Sequence, residues 1–247
     1  MSRVISIITA AHQRSVPYLL DAYESLIAQE LPAGWCWEWL LQEDGRSGAV
    51  AAAVPDDPRI SIGSARPGGP AVTRTMAMAR AKGALVRNLD ADDKLLPGAI
   101  ARDITVLTQR PTVGWTTSRL LNWLPDGTIA RWRHPNPDEG VLARGAILES
   151  WRSNGWFLPI HPVTLCIRRS LLFALGGWMA LPCAEDTGLL IAASVAADGY
   201  FINEPSLLYR HHPLQMTAQV DHGDGLDGHR RHLIAARADA LRSLLRD

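Results

Sequence analysis

Ala84-Leu85-Val86-Arg87-Asn88-Leu89-Asp90-Ala91-Asp92-Asp93 opens on an apolar run and closes on three carboxylates. Residues 84–89 read as a strand, and the acids fall directly beyond its C-terminal end. The same pattern recurs upstream. Val4 to Ile8 is a β-branched run that leads into polar Thr9 to Arg14, and Val16 to Ala28 then carries apolar residues at helical spacing. Trp37 to Gln42 reads as a second strand, ending at Glu43-Asp44-Gly45, and Arg59 to Ile62 as a weaker third. Pro70 to Ala81 opens with a proline at a helix start and closes before Gly83. Strands alternating with helices predict an α/β fold whose mostly parallel, Rossmann-like sheet is covered by helices on both faces. Such sheets bind ligands beyond the C-terminal ends of their strands, so His12 to Arg14, Asp44 and Asp90 to Asp93 are expected at one site.

Beyond a helix at Pro97 to Gln109, tryptophans and turn residues become frequent. Gly114 to Trp132 reads as a hairpin around Pro125-Asp126-Gly127, followed by a strand near Val163 to Ile167 and helices near Arg169 to Leu175 and Glu185 to Ala197. A strand pair is expected around Tyr200 to Tyr209, and a C-terminal helix from about Gly228. No repeat or linker divides the chain, which predicts one domain with a first half over residues 1–110 and a second, smaller subregion within 111–247.

The 247 residues are 47% hydrophobic, enough for a sizeable core, and 25 basic residues balance 25 acidic ones. That balance predicts no nonspecific attraction to nucleic acid. Cys36, Cys166 and Cys183 are widely spaced and outside any CxxC pair, which argues for a reducing compartment, and no run has the length of a membrane span. A cytoplasmic protein without a signal peptide is the expectation.

Adjacent carboxylates repel unless a cation or hydrogen-bond donors neutralise them. One solution is a hard divalent ion held by one or two carboxylates and by substrate phosphates. The alternative is a solvated turn in which Asp93 caps the following helix.

Six segments occur in a telling order: Thr9-Ala10-Ala11-His12-Gln13-Arg14, Glu43-Asp44-Gly45-Arg46-Ser47, Gly69 through Arg74 with Ala81-Lys82-Gly83, Asp90-Ala91-Asp92 with Asp93 and Pro97, Gly176-Gly177-Trp178 with Glu185-Asp186, and Tyr209-Arg210-His211-His212 with Gln215-Met216-Thr217. Over residues 3 to 217 this series resembles the GT-A type glycosyltransferases of the large family 2, although Gln13 and Thr75 stand where Asn is frequent. The resemblance implies an inverting transferase that moves a sugar from a nucleotide diphosphate donor, UDP or dTDP type, to a hydroxyl or amine of a small-molecule or peptide acceptor. It implies that Thr9, Ala11 and Arg14 lie beside the base and ribose, and that Asp44 accepts from the imide N–H of a pyrimidine. Arg74, Asp90, Ala91 and Arg210 would belong to the donor site, with Arg66 a weaker candidate for the diphosphate. Asp92 and His212 would hold Mn2+ or Mg2+, His211 pointing to the opposite face of an extended segment. Asp186 would be the general base and Glu185 its partner, while Trp178 would line the acceptor pocket.

Helix-dipole stabilisation is the competing explanation for Glu185 and Asp186, core packing for the tryptophans, and a structural histidine for His212. The segment from Gln215 to Asp227 reads as a mobile cover for the donor. Two other functions stay open on the same fold, a metal-dependent sugar nucleotidyltransferase and a noncatalytic carbohydrate-binding protein, and homodimerisation is left open too.

Overall fold

The run Val4–Ile8 forms the middle of β1 (Arg3–Ala11), and its side chains explain why the sheet is covered on both sides. Ile5 and Ile7 are buried in one hydrophobic cluster and Ile8 in the other. Successive strand residues face opposite ways, so both faces of β1 are dry, as in parallel sheets generally. The computed structural model describes residues 3–133, 135–215 and 226–245. Methionine 216, Thr217 and most of the expected donor cover lie outside the described residues.

β1 pairs in parallel with β2 (Trp35–Asp44) and with β4 (Leu85–Asn88), and β2 pairs in parallel with β3 (Ile60–Ala65). The register sets Ala11 opposite Glu43, and Ile8 opposite both Leu40 and Asn88. The residues just beyond each strand therefore emerge at one edge of the sheet. The sheet continues through β9 (Cys166–Arg168), antiparallel to β4, and β6 (Val113–Trp123), antiparallel to β9. It ends with β10 (Asp198–Arg210), parallel to β6, and the two-residue β5 (Lys94–Leu95), antiparallel to β10. β7 (Ile129–Arg131) completes the expected hairpin with β6, and β8 (Gly140–Leu142) pairs with β10.

The helices are α1 (Leu19–Ile27), α2 (Ala49–Ala52), α3 (Gly69–Met78), α4 (Ala99–Gln109), α5 (Ala146–Ser153), α6 (Arg169–Ala174), α7 (Glu185–Ala196) and a C-terminal helix, Leu226–Leu244. From Gly188 to Val195 every residue of α7 is buried. A helix apolar on all sides belongs in a core, and α7 fills one face of the sheet with Ile234, Ala235 and Ala238 of the C-terminal helix against the same cluster. That cluster also contains Ile8, Ala71 and Val86, so the packing is continuous across residue 110. No helix among the described residues is long and apolar enough to cross a membrane.

Three expectations need correction. The helix expected over Val16 to Ala28 begins as a 3-10 turn, Gln13–Tyr18, because His12 and Ser15 form a capping box and Pro17 lies inside the turn. Val163 belongs to another 3-10 turn, Pro162–Thr164, ahead of β9. The expected strand pair around Tyr200 to Tyr209 is the single strand β10, whose register against β6 slips on either side of Pro205. Proline cannot donate to a ladder, so Asn203-Glu204-Pro205 looks like a turn but makes an irregularity inside one strand. The other edge of β10 is accordingly covered by β8 before the slip and by β5 after it.

Candidate active site

At the edge where β1, β2 and β4 end lies a cleft of about 620 Å3. Its first wall follows from the strand alternation at the end of β1. Ala10, His12, Arg14 and Ser15 line the cleft, whereas Ala11 is buried in the core. Thr9 is also buried, donating to the Leu89 carbonyl at 2.6 Å and accepting from Trp39 Nε1 at 2.8 Å. Thr9 therefore ties the end of β1 to the acidic loop and does not reach the cleft surface. Asp44 does reach it, and its carboxylate accepts from the amides of Gly68 at 2.7 Å and Gly69 at 3.2 Å. Those glycines open α3, a helix start that favours negative charge. Arg66 is exposed and is not among the lining residues.

The acidic segment after β4 gives each of its three carboxylates different partners. Asp90 pairs with Arg74 at 2.6 Å and accepts from Asn88 Nδ2 at 3.1 Å. Asp92 meets His212 Nε2 at 2.8 Å. Asp93 is fully buried and accepts from the backbone amide of Arg210 at 2.9 Å. The capping alternative for Asp93 fails, because α4 starts at Gly98 in the left-handed region with no side-chain cap. Asp90, Ala91, Asp92 and His212 all line the cleft.

Arg210 is held behind this loop. Its Nε donates to the Asp92 carbonyl at 2.7 Å, its terminal nitrogen pairs with Asp21 at 2.5 Å, and the guanidinium lies over the ring of Trp123. Arg210 thus supports the acidic loop, and Tyr209 and His212 beside it reach the cleft. His211 bonds Asn122 Oδ1 at 2.9 Å. Adjacent residues of the extended segment face opposite ways, as alternation predicts.

Burial, and next the charge of Asp90, raises the Asp92 carboxyl above the ordinary range despite His212. Burial followed by the charges of Asp92 and Asp90 raises Asp93 well above it. The loop thus concentrates negative charge that its own donors leave undercompensated. Among the described residues, His212 Nδ1 is buried without a hydrogen-bond partner. A carboxylate and an imidazole suit a divalent ion whose other ligands are phosphate oxygens and water. Three-ligand clusters are absent among the described residues, so the residues present fit only such a shared arrangement.

Across the cleft, α7 begins at Ala184, a non-glycine residue with φ of 62°. Glu185 is buried and pairs with Arg74 at 2.5 Å, while Asp186 Oδ1 accepts from the Thr187 amide at 2.6 Å. Arg74 therefore spans from the acidic loop to α7, with both terminal nitrogens occupied by carboxylates. Burial and then the charge of Asp186 push the Glu185 carboxyl up to about 7. Burial raises Asp186 as well, against the lowering effect of Arg74. One guanidinium faces Asp90, Glu185 and Asp186. It cannot neutralise all three, so the Glu185–Asp186 pair retains a proton above the normal carboxylate range.

Trp178 lies behind Asp186 in the core, 7% exposed, and lines a small internal cavity instead of the cleft. Trp115 and Trp151 are core residues as well, and the half-exposed Trp156 packs edge-on against Trp151. The cleft wall that the sequence left unread contains His161, Pro182 and Cys183, next to Tyr209. His161 Nδ1 accepts from the Val163 amide at 3.3 Å, and its ring packs against Trp132 and Tyr209. The signal for it was a histidine before Pro162, a helix-start pattern concealed by reading Val163 as strand.

This architecture, a mostly parallel curled sheet flanked by helices with its cleft at the strand ends, is the GT-A type fold. No family model and no curated protein sequence matches the chain. Solved structures similar to it include those of S. aureus TarS. TarS 1–349 in complex with UDP-GlcNAc aligns at a TM-score of 0.74 and 15% identity, covering 96% of this chain and 66% of that one. The same fragment in complex with UDP aligns at 0.66 and 15% identity, covering 86% and 61%. A longer TarS chain aligns at 0.65 and 16% identity, covering 86% and 37%. The chain thus spans less than two thirds of the length of each of these solved chains.

Proposed function

We propose that this chain is an inverting glycosyltransferase that uses a nucleotide diphosphate sugar of the UDP or dTDP type. The observation that carries the proposal is the presence in one cleft of two polar centres, Asp92 with His212 and Glu185 with Asp186, joined through Arg74 and Asp90. The similarity to TarS bound to UDP and to UDP-GlcNAc supports the donor class.

In this reading the nucleoside end occupies the wall formed by Ala10, His12, Arg14 and Asp44, and the diphosphate extends toward Asp92 and His212. Asp92 and His212 would hold Mn2+ or Mg2+, which when bound supplies positive charge to the departing diphosphate. Asp186 takes the proton from an acceptor hydroxyl or amine as that atom bonds to the anomeric carbon. The bond from that carbon to the diphosphate oxygen breaks, and attack from the opposite side inverts the centre. A base whose carboxyl is raised above its ordinary range by burial suits that step, because it holds the abstracted proton more strongly than a solvated aspartate would. Glu185, tied to Arg74, orients the pair. The acceptor is a small molecule or peptide.

Asp186→Asn tests the assignment. Transfer or hydrolysis of UDP-sugars, followed by nucleotide release, is expected to fall by at least ~10^3-fold, while UDP affinity by calorimetry stays within a few-fold. Full activity in the variant would remove Asp186 as base.

A further inference from the structure

Asp186 lines a second, smaller cavity as well, of about 10 Å3, together with residues of β4, β9 and α7 and with Pro162, Leu165 and Trp178. Its walls are apolar, with Val86, Ile167, Trp178 and Leu189 among them, except for Asn88 and Asp186. Asn88 ends β4, is 5% exposed and donates through Nδ2 to Asp90. Its Oδ1 is buried and, among the described residues, has no hydrogen-bond partner. An unsatisfied buried carbonyl costs roughly 1–3 kcal/mol, so the arrangement calls for a donor. The second polar wall cannot supply one when ionised, because a carboxylate only accepts. Two acceptors facing a space for one small molecule require a molecule with two donors. Water meets both conditions, since a cavity of roughly 10–15 Å3 holds one when polar partners are present.

We propose that one internal water bridges Asn88 Oδ1 and the Asp186 carboxylate, making Asn88 a positioning residue for the base. The water donates to Asn88 on one side and to Asp186 on the other, where Oδ1 already accepts from Thr187. Two donors on defined sides fix the carboxylate torsion and direct its remaining lone pairs into the cleft. The same asparagine holds Asp90 through Nδ2, so a single amide links the acidic loop to the base. Arg74, Asp90 and Glu185 are the charged groups that bear on Asp186 here. The inference rests on Asp186 being the base.

The test combines a crystal structure of the full chain at high resolution with the variant Asn88→Leu, which keeps approximate size and removes the amide. An ordered water is expected within hydrogen-bond distance of both side chains. The variant is expected to lose at least ~10-fold in kcat and to shift the acid limb of its pH profile upward because the carboxylate has lost a donor. A merely structural asparagine would lower thermal stability without moving that limb. A dry cavity overturns the proposal even if the variant fails to fold. Unchanged kcat and acid limb in Asn88→Leu, alongside an inactive Asp186→Asn, overturns it while leaving the base assignment standing. An active Asp186→Asn removes both.

Discussion

Two neighbouring carboxylates in the acidic loop have different jobs, and their surroundings say which. Asp92 is partly exposed to the cleft beside His212, whereas Asp93 is sealed and faces a backbone amide. Asp92→Asn is expected to weaken Mn2+ binding by on the order of 100-fold, read by calorimetry with UDP present, and to lower transfer in parallel. Asp93→Asn should change either quantity only a few-fold, since a carboxyl raised far above its normal range is already close to an uncharged amide in character. Glu185 supplies a pH signature. Its carboxyl ionises near 4.5 in the unfolded chain and at about 7 in the fold. Between those values the folded state holds more protons, so stability falls as pH rises through this window and levels above it. Urea midpoints at pH 5 and pH 7.5 should show a loss on the order of 3 kcal/mol, reduced in Glu185→Gln. The sequence singled out these residues as a group. It could not distribute them, because a carboxylate's role depends on whether water, a guanidinium or a backbone amide faces it.

Local chain geometry adds constraints that motif order does not contain. The start of α7 requires Ala184 in the left-handed region, where a Cβ is unfavourable by roughly 1–2 kcal/mol and glycine is at ease. Ala184→Gly is expected to raise the unfolding free energy by up to ~1 kcal/mol, the rest being offset by the freer unfolded chain. Activity should fall if the strained turn holds Glu185 and Asp186 toward Arg74; an unchanged turnover in a stabilised variant would show the strain to be incidental. Periodicity located α7 itself from its apolar run, and α3 from Pro70 and the following small residues. It misread β10, because the break at Pro205 is local whereas the pairing that keeps the strand whole comes from β6, far away in sequence.

At the scale of the whole molecule, a buried polar network locks the middle of the sheet. Arg87 on β4 pairs with Asp103 on α4 and donates to Ser206 on β10, while Thr116 on β6 donates to Asp103. Four elements meet there, β10 from far along the chain, with Arg87 fully buried and Asp103 1% exposed. Removing one partner strands the other's charge, so Asp103→Ala is expected to cost about 3–5 kcal/mol in denaturant unfolding. Replacing both, as Arg87→Met with Asp103→Leu, should recover much of that loss, because paired apolar side chains no longer need desolvated charges. UDP affinity should follow the folded fraction alone, since neither residue lines the cleft.

The sequence by itself determined the alternation of strands and helices, the strand edge that carries the chemistry, and the acids at Asp44, Asp90, Asp92 and Asp186 that reach the cleft. Those features are encoded locally, in apolar period and in the polar residues that follow each strand. Tertiary structure decided that Thr9, Ala11 and Trp178 face inward, that Arg210 stands behind the acidic loop, and that His161 and Tyr209 form a wall of the cleft. It also decided that Arg74 bridges Asp90 and Glu185, residues 16 and 111 positions from it, in one ion-pair network. Such pairings depend on register, twist and the packing of α7 across the sheet, and no local pattern specifies which distant carboxylate a buried guanidinium will meet.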